Sequence, residues 1–153
     1  MKTTRDAGII ARSASLTETP MQFAILFFHN ENTVKSWTHE QDDAVMEKLS
    51  VVHERLCQEG SLGPSARLDF TNSATTLRKN SDPPVVTDGP FAETKEALLG
   101  FYVVDVADMQ AALAVARDLT KANPGGAYEI RPIRLYLSGA PMPREVSRAE
   151  AAA

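Results

Sequence analysis

An α+β fold, a split β-α-β arrangement with an antiparallel sheet and two helices on one face, is predicted by three observations. Two apolar runs of strand length, "MQFAILFF" and "LLGFYVVDV", are each followed by a segment with helical period. Shorter strand-like pieces separate these two units, and one more strand follows the second helix. Each helix carries a single apolar stripe, so both are economically buried on the same side of one sheet.

The first strand is a continuous apolar run closed by His29-Asn30, as suits a central strand. The period then changes. Thr38 with Gln41 three residues on makes a capping box, and Gly60 is a natural stop. Between them Val45, Leu49, Val52 and Leu56 form one stripe. The pieces "ARLDF", "ATTLR" and "PPVVTDG" follow, separated by Asn, Ser, Asp and Pro, and predict a hairpin excursion. After "LLGFYVVDV", rich in strand formers, Asp108 caps a helix whose Met109, Leu113, Ala116 and Leu119 share one side and which "NPGG" ends. In "AYEIRPIRLYL" Tyr128 and Ile130 alternate with Glu129 and Arg131 before Pro132, which cannot donate to a ladder. That places this strand at a sheet edge. On the first strand Ala24, Leu26 and Phe28 point away from the helices, and this second apolar face predicts a two-fold homodimer of the dimeric α/β-barrel type.

Composition narrows the class. With 153 residues, 43% hydrophobic and 24% charged, the chain reads as one soluble globular domain. The 16 basic residues against 20 acidic ones, with no basic cluster, argue against a nucleic-acid partner. The lone Cys57 excludes an internal disulfide and fits a reducing, cytoplasmic setting. No run approaches a membrane span, and "AGIIA" is too short for a signal-peptide core. Residues 1–20 read as a disordered leader, 21–137 as the domain and 138–153 as a disordered tail, with Met21 an alternative start.

The chemistry-bearing candidates gather around "VVTDGPFAETKE". Asp88-Gly89-Pro90 reads as a turn, with the Asp side chain accepting from the amides ahead and Phe91 plugging the core edge. A corner does not need Glu93, Lys95 and Glu96, however. The three form a solvated connector, or else Glu93 and Lys95 join Asp88 at the mouth of a ligand cleft. His53, beside the apolar stripe of the first helix, is the foremost acid-base candidate, with a buried, carbonyl-bonded packing residue as the alternative. His29 ends a strand, where ligands meet scaffolds, and Arg131 is placed to neutralise Asp88 or Glu93. His29, His39 and His53 lack metal-ligand spacing, Cys57 reads as a small helix-flank hydrophobe, and no phosphate-binding glycine loop is present.

The string Asp88 to Glu96, set in "VVTDGPFAETKEALLGFYVVDVADMQAALAVARDL" and followed by "GGAYEIRPI", resembles the YciI-related (YCII) family of DGPF-domain proteins. By element order the resemblance runs from about Met21 to Leu137. It implies a ferredoxin-like fold, usually dimeric, with a cleft between a helix and the sheet. Relatives include dehydrochlorinase-type enzymes and proteins found beside or fused to alternative sigma factors. Relatives often carry a helix histidine or tyrosine one turn before the place of His53, where this chain has Leu49. Three functions are compatible with these readings. One is a cofactor-independent lyase or isomerase, in which His53 or His29 moves a proton while Asp88, Lys95 and Arg131 orient a small polar or anionic ligand. The second is a non-catalytic ligand-binding or regulatory module tied to sigma-factor-dependent transcription. The third is a structural dimer.

Overall fold

The computed structural model describes residues 21–142. The expected leader, and the expected tail beyond residue 142, lie outside the described residues. In chain order the elements are β1 (Met21–His29), α1 (Glu31–Lys35), α2 (His39–Gln58), β2 (Leu62–Arg67), β3 (Thr75–Arg78), β4 (Val85–Asp88), β5 (Ala97–Val106), α3 (Met109–Ala122) and β6 (Ala127–Pro132). A single 3-10 turn, Thr71–Ser73, follows β2. The main sheet has the order β2-β5-β1-β6, with every neighbouring pair antiparallel. This mixed α+β architecture is compatible with the ferredoxin-like fold, and β6 is an edge strand as Pro132 requires. The excursion between β2 and β5 is a separate two-stranded arm, β3 paired with β4.

The sequence predicts two helices, and a third, α1, precedes them. It is only five residues long, too short to show a period, and is nucleated by its cap. Asn30 Oδ1 accepts from the amides of Asn32 and Thr33 at 2.9 and 3.3 Å. The α2 capping box forms as its residues dictate: Gln41 N donates to Thr38 Oγ1 at 3.1 Å and Thr38 N to Gln41 Oε1 at 2.9 Å. Leu49 and Leu56 are buried, with Val45 and Val52 packed beside them. On α3 the buried face is Ala112, Val115, Ala116, Leu119 and Ala122, rotated from the predicted stripe so that Leu113 falls at its margin. Small residues let α3 approach the sheet closely, so alanines rather than Leu113 mark its inner face.

Register divides the sheet into two faces. Phe23 stands opposite Val104 and Pro132, and Ile25 opposite Tyr102 and Ile130. Phe23, Ile25 and Val104 pack under α2 and α3 in one core. Ala24 with Val103, and Leu26 with Phe101, occupy the opposite, open face and are half-buried. Near the end of β1 the register shifts between Phe27 and Phe28, and Leu99 is the extra residue of β5, tucked inside. No helix among the described residues is long and apolar enough to cross a membrane.

Leu119, fully buried between α3 and the sheet, tests this rotated stripe. Leu119→Ala is expected to cost about 2–5 kcal/mol by the lost transfer energy and the cavity left behind, while Leu113→Ala costs markedly less. Urea midpoints of the two variants check the order, and equal losses would restore the stripe read from sequence.

Candidate functional site

His53 lies on the flank of α2, one turn beyond Leu49, where the helix crosses the inner face of β5. Its Nε2 reaches the hydroxyl of Tyr102 at 3.3 Å, with the ring centroids 5.3 Å apart. That distance is long for a hydroxyl bond, so the contact is weak and displaceable. Burial lowers the His53 pKa below its ordinary 6.5, which keeps the imidazole neutral at physiological pH. A neutral ring that accepts the phenol proton at Nε2 carries its own proton on Nδ1. Burial also pushes the Tyr102 phenol well above the usual tyrosine range, with Tyr128 adding to the rise and Arg67 opposing it. Tyr102 therefore stays protonated and able to donate. Tyr128, opposite Phe27 on β6, is raised by burial too, with the Asn123 side chain opposing the rise.

Two further residues complete this seam. Arg67, at the end of β2, clasps Asp42 in the first turn of α2 through Nη2 to Oδ1 at 3.0 Å and Nη1 to Oδ2 at 3.3 Å. The carboxylate is buried and the guanidinium half-exposed. Gly100 makes the placement of Arg67 possible, because a Cβ there would stand 2.7 Å from the backbone oxygen of Ala66 and 3.4 Å from Arg67 Cα. Tyr102, Arg67 and Asp42 escape the sequence reading because their roles arise from strand register. The available signal is a tyrosine within the inward-facing set of "LLGFYVVDV", whose hydroxyl needs a partner when buried.

The residues singled out from sequence fall in several places. His29 is buried at the end of β1, its Nδ1 accepting from Asn30 N at 2.7 Å and its ring set edge-on to Phe27 and Trp37. Asp88 ends β4 in the arm and is exposed, as is Glu93. The turn there is held through Gly89, whose N donates to Ala74 O and whose carbonyl accepts from Thr76 Oγ1, both at 2.7 Å. The described hydrogen bonds include none to the Asp88 side chain. Phe91 is no core plug: it is 72% exposed and lies under the Arg78 guanidinium at 5.2 Å. The arm lifts the corner away from the core, and a surface cation covers the ring. Lys95 borders a broad, shallow depression of about 650 Å³ at the sheet edge with Phe28, Thr94, Glu96, Ala127, Tyr128 and Glu129. Phe28 and Glu129 belong to the open face, where Arg131 also sits, exposed and 3.7 Å from Glu129. The sheet thus lies between His53 and the Lys95–Arg131 group.

Because the folded state holds the His53 proton less well than the unfolded chain, the sign of its pH dependence is set. Above pH 6.5 the ring is neutral in both states and stability is complete; below it the unfolded chain takes the proton first, and stability falls until the folded value is passed. An NMR titration of the His53 ring is expected to give a pKa under 6.5, with a smaller acid-side loss of urea stability in His53→Gln. A His53 titrating at or above the ordinary value contradicts the buried placement.

The model of the YCII-related domain matches residues 21–136. An uncharacterised protein of Rhizobium meliloti (strain 1021) is 48% identical over 120 residues, covering 78% of this chain and 97% of the relative. By the family match and by this identity across nearly the whole of the relative, the chain belongs to the YCII-related domain family.

Proposed function

We propose that the chain is a small-molecule enzyme of the lyase or isomerase kind, working by proton transfer without a cofactor at the seam between α2 and the sheet. The observation that carries this reading is the His53–Tyr102 pair: a neutral imidazole beside a phenol held protonated, half-buried and joined by a weak contact. A substrate entering between them would present an acidic C–H or O–H to His53 Nε2. The Tyr102 hydroxyl would then donate to the oxyanion that develops as the proton leaves, and His53 would return the proton elsewhere on the product. The lowered pKa favours the base form needed at the start, at some loss of basicity. Asp88 and Glu93, exposed on the arm, have no part in this step.

The functional unit in this reading is a homodimer. Ala24, Leu26, Phe101 and Val103 make the open face apolar, and two such faces packed about a two-fold axis would remove it from water. Light scattering is expected to give a dimer at micromolar concentration, and Val103→Glu is expected to yield folded monomer. A wild-type monomer would overturn the arrangement.

A second reading, a ligand-binding or regulatory module, is favoured by the arm, which exposes Leu77, Val86 and Phe91 at 57%, 63% and 72%. A thermal-shift screen of small organic acids, followed by turnover assays on each hit, separates the two. Under the enzyme reading a hit is consumed by the wild type and bound but not consumed by His53→Ala, with kcat of Tyr102→Phe down roughly 100-fold, the usual scale for one oxyanion donor. Hits bound by all forms and consumed by none would leave the binding module.

A further inference from the structure

We infer that Arg67, held by Asp42, is the specificity-determining residue of the seam and selects a planar carboxylate, with the acidic C–H or O–H of the substrate directed at His53. The inference rests on the proton-transfer site just proposed and names the class of molecule that would fit it.

Lys95 and Arg131, the cations that the sequence offers for an anionic ligand, stand on the far side of the sheet from His53. Arg67 stands on the near side. In the β2–β5 register Ser65 is opposite Tyr102 and Arg67 opposite Gly100, so Arg67 is the diagonal neighbour of Tyr102 on the same face. Its charge is felt there, opposing the upward pull of burial on the phenol. The guanidinium is fixed in orientation as well as in place. Two of its five N–H donors go to Asp42, one to each carboxylate oxygen, and the buried carboxylate prevents the fork from swinging into solvent. The rest of the fork stays available on a half-exposed group, and a guanidinium edge matches the two oxygens of a carboxylate.

Gly100 adds to the case, because its missing side chain lets the β2 backbone at Ala66 and Arg67 lie close against β5. A carboxylate on Arg67 would anchor one end of a substrate on the face that carries Tyr102 and His53, leaving its acidic C–H or O–H to extend along α2 toward the pair. The proton would pass to His53 Nε2, the electron pair would stay on the substrate, and Tyr102 would donate to the oxygen that receives the charge.

Benzoate and its neutral isostere benzamide are suitable probes, titrated into the full chain while the His53 and Tyr102 ring signals are followed by NMR. Benzoate is expected to shift both rings saturably, and to bind at least tenfold more weakly to Arg67→Met, and also to Arg67→Lys, which keeps the charge but loses the fork. Benzamide is expected to bind weakly and alike to all three. Asp42→Asn, which keeps Arg67 but releases its clasp, is expected to lie between wild type and Arg67→Met. If benzoate binds Arg67→Met as tightly as the wild type, or binds the wild type without moving the His53 signal, the inference is overturned. A urea midpoint measured for each variant separates loss of binding from loss of folding, and Arg67→Lys with normal stability and undiminished affinity would also refute the fork. The enzyme reading fails differently: Arg67-dependent binding with no turnover of any carboxylic acid would leave the carboxylate site standing and remove the catalysis.

Discussion

The pairing of β1 with β5 is the constraint on which the rest of the structure depends. Phe23 opposite Val104 and Ile25 opposite Tyr102 place the largest buried side chains on the face beneath the helices, and the alternation then commits Ala24, Leu26, Phe101 and Val103 to the other. A slip of one residue would exchange the two faces and turn Tyr102 away from His53. The register is specified strongly because the inner face must meet two helices, one of which offers mainly alanines. The one-residue irregularity at Leu99 is confined to the strand end, where it seats that leucine inside and brings Leu68 N to Leu99 O at 2.9 Å.

Polar groups in the seam sit uneasily with this apolar scheme. A hydrogen bond of ordinary geometry contributes about 1 kcal/mol net, and the His53–Tyr102 contact is longer than that ideal. Burial holds both groups in their neutral forms, as the directions of both pKa shifts show. A pair of polar residues that stabilises little where it stands, at a half-buried position beside a clasped arginine, suits a role other than packing. His29 is the contrasting case. Its buried ring meets Phe27 and Trp37 edge-on and accepts a backbone amide, so packing and hydrogen bonding account for it fully.

The signature loop behaves differently from either histidine. Its Asp-Gly-Pro corner belongs to an arm whose strands pair only with each other, and an isolated hairpin is marginal in water. Here it is supported by Gly89 binding back to Ala74 and Thr76 and by Arg78 over Phe91. The charged half of the loop then leads to β5 past the open face, with Thr94 Oγ1 donating to Glu96 O. The two halves of the string thus serve two places: the corner shapes the arm, and Lys95 edges the depression over Phe28 and Glu129.

Much of this was legible in the residues, since it rests on local patterns. The α2 capping box, its Leu49 and Leu56 stripe, the Asp108 cap of α3 and the edge position forced by Pro132 need no knowledge of neighbours beyond one element. Even the two-faced character of β1 follows from alternation. The inner face of α3 was misread by part of a turn, because alanines facing a sheet carry less hydrophobic signal than the leucine at their margin. His53 could be found from its place beside a stripe, but its partner could not. Tyr102 lies 49 residues away and Arg67 belongs to a different strand, joined to α2 only through Asp42. Sequence by itself therefore determined the two long helices, the strands β1, β5 and β6, and the family string. Tertiary structure alone decided which polar groups meet, because that depends on strand register and on how closely β2 approaches Gly100, distances set by the packing of the whole sheet.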